Sequence, residues 1–317
     1  MIAKVELHCH LEGSIAPALA RELAVRNGLA LPQGLFGPDG HYVWNDFLSF
    51  LAAYDRVCGV LLTARDFGDV IYAYLADAAR EGAVYVEMFC SPERPAALGI
   101  SYAAWLEALT DGIDRAEREF GIIGRIIVVC IRHLGPDRAL AIVRTMVAEP
   151  HPYVVGFGMG GDEAKFEPAN FAPAFRLAHD RGYGCTVHAG EVLGPESVWA
   201  SITTLPVTRI GHGVRSAEDP ALVVELVRRG TVLEVCPGSN IALGLYPDRA
   251  AHPLHRLIDA GVRVTLNSDD PPFFHTTLGN EYDKAGLDAA ALRGIARTAV
   301  EASFADEATK RRLLKEI

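Results

Sequence analysis

The chain has 317 residues, half of them hydrophobic and 22% charged, with 40 acidic side chains against 30 basic ones for a formal charge of −10. This composition excludes a disordered polypeptide, and 30 Gly with 18 Pro are too few for a collagen-like or low-complexity chain. Net negative charge repels phosphate backbones and anionic lipid, so a small molecule is the expected partner, with no nucleic acid and no membrane surface.

The first strand-like run, Lys4–Cys9, leads into a long excursion over residues 14–65. Helical patterns at Ala16–Arg26 and Asp46–Val60 flank a polar stretch, Pro32–Gly40, within it. Beyond it, helical periodicity at Asp66–Glu81 precedes a strand at Ala83–Cys90, and Tyr102–Phe120 precedes Arg125–Arg132. Pro136–Ala148 then leads to Val154–Met159, and Phe171–Arg181 to Cys185–His188. Strands at Arg209–His212, Val232–Cys236 and Val262–Asn267 follow, with helices at Pro220–Arg229 and Pro253–Ala260 between them.

Most of these strands are rich in Val and Ile or continuously apolar, as expected when both faces are covered. Eight strands alternating with helices predict an α/β fold, a closed (β/α)₈ TIM barrel. A doubly wound open sheet would carry a Gly-rich phosphate loop after the first strand, and HCHLEGS has one Gly there. The whole chain, 1–317, reads as a single barrel domain, with 14–65 a helical insertion covering the barrel mouth.

Six dispersed cysteines without a C-x-x-C pair predict free thiols in a reducing compartment. The start MIAKVELHCH lacks a signal-peptide pattern, and no run reaches the roughly 18 apolar residues of a membrane span. The expected location is cytoplasmic; oligomeric state is left open.

His8 and His10 flank Cys9 at the end of the first strand, where residues i and i+2 face the same way. His188, His212 and the pair Asp269–Asp270 end three further strands, on the carboxyl face where barrel active sites assemble. Three neutral imidazoles and one carboxylate drawn from this set suit one Zn²⁺ per chain, with a water in an open position. Such a metal makes hydroxide available near neutral pH. Glu191, three residues after His188, is placed to exchange a proton with substrate if burial raises its pKa. His41, His133, His151, His179, His252 and His255 belong to no such set and read as structural, while His275 fits either class.

HCHLEGS at 8–14, GMGGDE at 158–163, HAGE at 188–191, RIGHG at 209–213, CPGSN at 236–240 and SDDPP at 268–272 together resemble the adenosine deaminase family, in that family's order. The resemblance implies a zinc (β/α)₈ barrel that hydrolytically removes the 6-amino group of a purine nucleoside or base. It implies His8, His10, His188 and Asp269 as zinc ligands, and Glu191 as the acid that protonates N1. By the same resemblance His212 holds and helps deprotonate the attacking water, Asp270 partners N7, and the Gly161 backbone donates to N3.

Glu12 stands where typical adenosine deaminases have the Asp that contacts the ribose 5′-hydroxyl. HLEGS also occurs in relatives that act on free adenine or aminodeoxyfutalosine. Phe47, Phe50 and Leu51, with Tyr54, resemble the apolar lid of the adenosine enzymes. The expected reaction is therefore adenosine to inosine and ammonia, with free adenine or a 5′-substituted adenosine as the alternative substrate.

Overall fold

A computed structural model describes residues 2–317. Eight parallel strands pair in sequence order: β1 Lys4–His10, β2 Ala83–Cys90, β3 Ile123–Ile131, β4 Val154–Gly160, β5 Gly184–Ala189, β6 Arg209–His212, β7 Val232–Val235 and β8 Arg263–Leu266. The residues that end β8 meet β1 through a parallel bridge between Cys9 and Asp269. There Asp269 N donates to His8 O and His10 N donates to Asp269 O, both at 3.1 Å. The barrel therefore closes at the residues singled out as metal ligands. This is the (β/α)₈ architecture the strand count predicts.

The strands form because their runs are largely buried and most are rich in apolar residues. IGRIIVVCI of β3 keeps seven of its nine residues buried, covered outside by helices and inside by the barrel core. Some helices begin at polar caps: Ser101 accepts from Ala104 N at 3.2 Å to start Tyr102–Phe120.

After β1 the chain leaves the barrel as expected. A 3₁₀ turn at Glu12–Ser14 leads to α1 (Pro17–Arg26), then to an isolated antiparallel bridge between Phe36 and Tyr42, then to α2 (Phe47–Cys58). Only with α3 (Ala64–Arg80) does the regular alternation begin. Buried Asp66, at the start of α3, ties the excursion down. It accepts from Leu62 N and Thr63 N at 2.8 Å, from Asn27 at 2.9 Å, and from Arg26. α2 starts at an Asp46–Ser49 capping box and presents one apolar face to the barrel mouth.

The opposite end of the barrel is plugged. The Phe304 ring lies against Gly156 and Gly184, and Arg209 stacks on it with its guanidinium carbon 3.7 Å from the ring centre. Arg209 is fully buried and donates to Glu234 at 2.5 Å and to Glu87 at 2.6 Å. Replacing it by Met would strand two buried carboxylates. Arg209→Met is expected to cost about 3–5 kcal/mol of folding stability, read as a lower urea midpoint at unchanged slope. A midpoint equal to that of the native chain would refute this account of the triad. Among the described residues no helix is long and apolar enough to cross a membrane, and all six cysteines are free.

Candidate active site

The ends of β1, β5, β6 and β8 bring four imidazoles and a carboxylate to one point. His10 Nε2 lies 3.1 Å from His188 Nε2 and 3.3 Å from Asp269 Oδ1. His8 Nε2 lies 3.4 Å from the same oxygen, yet makes no hydrogen bond among the described residues although it is buried. One ligand atom each from His8, His10, His188 and Asp269 falls within 4.8 Å of the others; so does a second set, His8, His212, Cys236 and Asp269.

Outer contacts decide which ring nitrogens face inward. His8 Nδ1 donates to Glu234 at 2.9 Å, and His188 Nδ1 donates to the Met159 carbonyl at 2.9 Å. Both rings therefore turn an Nε2 lone pair toward Asp269. Several acceptors converging on one buried point, with one of them orphaned, fit a bound cation. The field favours one as well. Burial alone lowers the His8 pKa, but Asp269 and Glu234 outweigh it and bring it to about 9. The donor set of nitrogen and carboxylate oxygen is that of a zinc site.

The second set is chemically poorer. Cys236 Sγ is spent on the Glu234 carbonyl at 3.5 Å, and burial keeps it a thiol by raising its pKa. The arrangement holds one zinc per chain.

Close packing admits the ring of His8 only because position 211 lacks a side chain: a Cβ on Gly211 would lie 2.8 Å from His8 Cε1. His212 and Asp269 both have left-handed backbone, at φ 56° and 63°, which non-glycine residues adopt at a cost of order 1–3 kcal/mol. That strain aims both side chains into the cavity.

Glu191 lies 7% exposed, with Oε2 3.5 Å from His212 Nε2. Burial pushes its pKa well above the ordinary carboxyl value, and the neighbouring Asp269 and Glu163 charges add to the shift. His212 is driven the other way, chiefly by burial, to about 3, so its ring is neutral. Asp270 is buried beside Asp269 and is raised, first by burial and then by that charge.

These groups line a cavity of about 480 Å³ together with Glu12, Phe47, Phe50, Leu51, Tyr54 and Gly161. Of the residues expected in the site, all but His8 line the cavity itself; His8 is buried at its floor.

Several contributors went unnoticed at the level of sequence. Glu163 accepts five hydrogen bonds: from the backbone N–H groups of Gly190, Glu191, Val192 and Leu193, and from Ser197 Oγ. It thus sets the loop that carries Glu191. Its signal was available, as the second of two acidic residues after the Gly-Gly turn of GMGGDE. Glu234 orients His8 and carried no such mark inside an apolar strand. Two histidines read as structural also belong here. His133 lines the cavity, and His252 bonds Asn240 at 3.1 Å, which in turn reaches His212 Nδ1 at 3.3 Å. Neither lies near another candidate in sequence, so only folding reveals the association.

A closed parallel barrel with clustered histidines and a carboxylate at its carboxyl rim defines a metal-dependent hydrolase. The adenosine deaminase family model matches residues 3–317. An adenine deaminase of Agrobacterium fabrum is 46% identical over 99% of this chain and 97% of its own. The chain belongs to the adenosine/adenine deaminase family of metal-dependent hydrolases.

Among solved structures, an adenine deaminase from Arthrobacter aurescens superposes with a TM-score of 0.91 at 29% identity, covering 100% of this chain and 98% of that one. An amidohydrolase from Burkholderia ambifaria with bound zinc gives 0.87 at 28%, covering 98% and 88%.

The expectation of adenosine as substrate is corrected by these relatives. Eight curated proteins at 43–46% identity are named adenine deaminase. The misreading came from the lid. Phe47, Phe50 and Leu51 do face the cavity, but an apolar cover suits any purine and does not report a ribose. Glu12, the departure from the nucleoside pattern, was the better guide.

Proposed function

We propose that this protein is a zinc-dependent adenine deaminase, converting adenine and water to hypoxanthine and ammonia. The observation that carries the reading is identity of 46%, spread over nearly the whole chain, with a protein named for that activity. The character of the cavity supports it. Its wall holds the carboxyl groups of Glu12, Glu93, Asp55, Asp270 and Glu191. Its Arg94 is committed through Nη2 to the Gly59 and Leu61 carbonyls at 3.3 and 3.2 Å. A neutral base suits such a wall better than a phosphorylated nucleoside.

We assign His8, His10, His188 and Asp269 to the zinc. Bound there, zinc would lower the pKa of water from 15.7 to about 7 and so supply a nucleophile near neutral pH. Neutral His212, braced from behind by Asn240 and His252, turns Nε2 to the cavity, where it would hold the attacking water. Glu191, kept protonated by burial, gives its proton to N1 as the nucleophile reaches C6, so the negative charge that would otherwise build on the ring is quenched. Gly161 N–H and Asp270 hold the N3 and N7 edges and fix the ring plane.

The decisive measurement compares kcat/KM for adenine, adenosine and 5′-substituted adenosines on zinc-loaded protein. Adenine is expected to exceed every nucleoside by roughly 100-fold or more. Equal or faster turnover of a nucleoside would refute the proposal.

A further inference from the structure

A chain of polar side chains runs from the back of His212 to a backbone donor, and it has a direction. The helix Leu254–Asp259 begins with an N–H that has no acceptor within its own helix. Leu254 N donates instead to His252 Nδ1, at 3.2 Å. A backbone N–H can only donate, so His252 Nδ1 carries no proton and the ring is neutral. The surroundings agree. His252 is 4% exposed, and burial first, then the charge of Arg249, brings its pKa down to about 4.

The one ring proton of His252 is therefore on Nε2, 3.1 Å from Asn240 Oδ1. That contact orients the amide, oxygen toward His252 and NH2 toward His212, whose Nδ1 lies 3.3 Å from Asn240 Nδ2. Turning the amide over would set NH2 against N–H, and Asn240 is fully buried, where an unsatisfied pair of donors is costly. The NH2 group donates, so His212 Nδ1 accepts and has no proton. By elimination the proton of His212 is on Nε2, the nitrogen turned to the cavity. Carboxyl oxygens face it there, Glu191 Oε2 at 3.5 Å and Asp269 Oδ2 at 3.8 Å. A lone pair at Nε2 would confront the Asp269 carboxylate.

We propose that His252 is a positioning residue: acting through Asn240, it fixes the proton of His212 on Nε2, so that His212 meets the nucleophile as a hydrogen-bond donor. His212 then orients the attacking oxygen and cannot take that oxygen's proton at the same atom. This departs from the family resemblance, which gives His212 a part in deprotonating the water. The consequence for turnover rests on the deaminase reading above, whereas the place of the proton does not.

The test is ¹⁵N NMR of zinc-loaded protein labelled at histidine, with the His212 signals assigned by their loss in His212→Gln. Protonated and unprotonated nitrogens of a neutral imidazole are well separated in ¹⁵N shift. Native His212 is expected to show a protonated Nε2 and an unprotonated Nδ1. His252→Leu leaves Asn240 free to turn its oxygen to His212, so a form with the proton on Nδ1 should appear. With it, kcat on adenine should fall by roughly 10–100-fold at unchanged zinc content. His252→Gln restores a donor to Asn240 Oδ1 and should restore both the native signals and turnover. Zinc content and thermal unfolding establish that each variant is folded, and the native spectrum decides if His252→Leu is not.

A native His212 with its proton on Nδ1 would overturn the inference. So would native signals in folded His252→Leu, whether or not turnover falls, because a merely structural role lowers activity without moving the proton. The spectra need no substrate. If a nucleoside is turned over and adenine is not, the adenine reading falls, and this inference is decided by the spectra.

Discussion

Glu191→Gln is expected to lower kcat on adenine by roughly 10²–10⁴-fold while the protein still binds one zinc per chain. Gln matches Glu in size and can still meet His212, whose Nε2 is 3.5 Å from the Glu191 carboxyl. What it cannot do is surrender a proton to N1. None of the four atoms assigned to zinc belongs to residue 191, so metal analysis should return native stoichiometry. Near-native turnover would remove Glu191 from the role of acid.

The pH dependence follows from the direction of the shift. Burial raises the Glu191 pKa, so the reactive protonated form persists into the neutral range. Activity should hold below that raised pKa and fall as pH climbs through it. Folding stability has the matching sign. Above the ordinary carboxyl pKa the unfolded chain ionises Glu191 while the native state resists, so native Glu191 costs stability there. The Gln variant should unfold at the same temperature as the native protein or higher near pH 7.

His10→Ala is expected to abolish turnover by removing the metal. Of the first-strand histidines, His10 is the one whose side chain is partly open, at 16% exposure, whereas His8 is fully enclosed and bonded to Glu234. The barrel should therefore tolerate the truncation. Bound zinc, measured after dialysis, should drop well below one per chain, and added zinc should no longer raise the melting temperature as it does for a protein that binds the ion only when folded. Full occupancy in His10→Ala would refute its assignment as a ligand.

Much of the barrel was legible because its signals are local. Ala83–Cys90 and Arg209–His212 are strands with the ends their apolar runs predict, and Tyr102–Phe120, Pro136–Ala148 and Pro220–Arg229 are helices between the expected residues. In each, a period or a capping residue within a few positions carries the information. Pro195–Thr204 was harder to see: Ser and Thr fill its polar positions and blur the helical period, and it forms because Val198, Ile202 and the buried Ser197 and Ser201 pack inward. Phe171–Arg181 divides into a 3₁₀ turn, Pro168–Phe171, and a helix, Ala172–Asp180, where Pro173 opens the helical register.

The sequence by itself determined the barrel and the helical insertion after β1, and it singled out the His and Asp residues that the fold gathers at one rim, because strand ends fall on one rim and motif residues lie within six positions of each other. Only the tertiary structure decided how those residues are held. Glu163 beneath the Glu191 loop, Glu234 and Arg209 behind His8, and His252 behind His212 lie tens of residues from the groups they orient. Hydrogen bonds of that kind leave no period or spacing in the chain. The acidic balance of −10 points to an uncharged substrate, but only folding gathers the carboxyl groups of Glu12, Glu191 and Asp270, far apart in the chain, around one cavity.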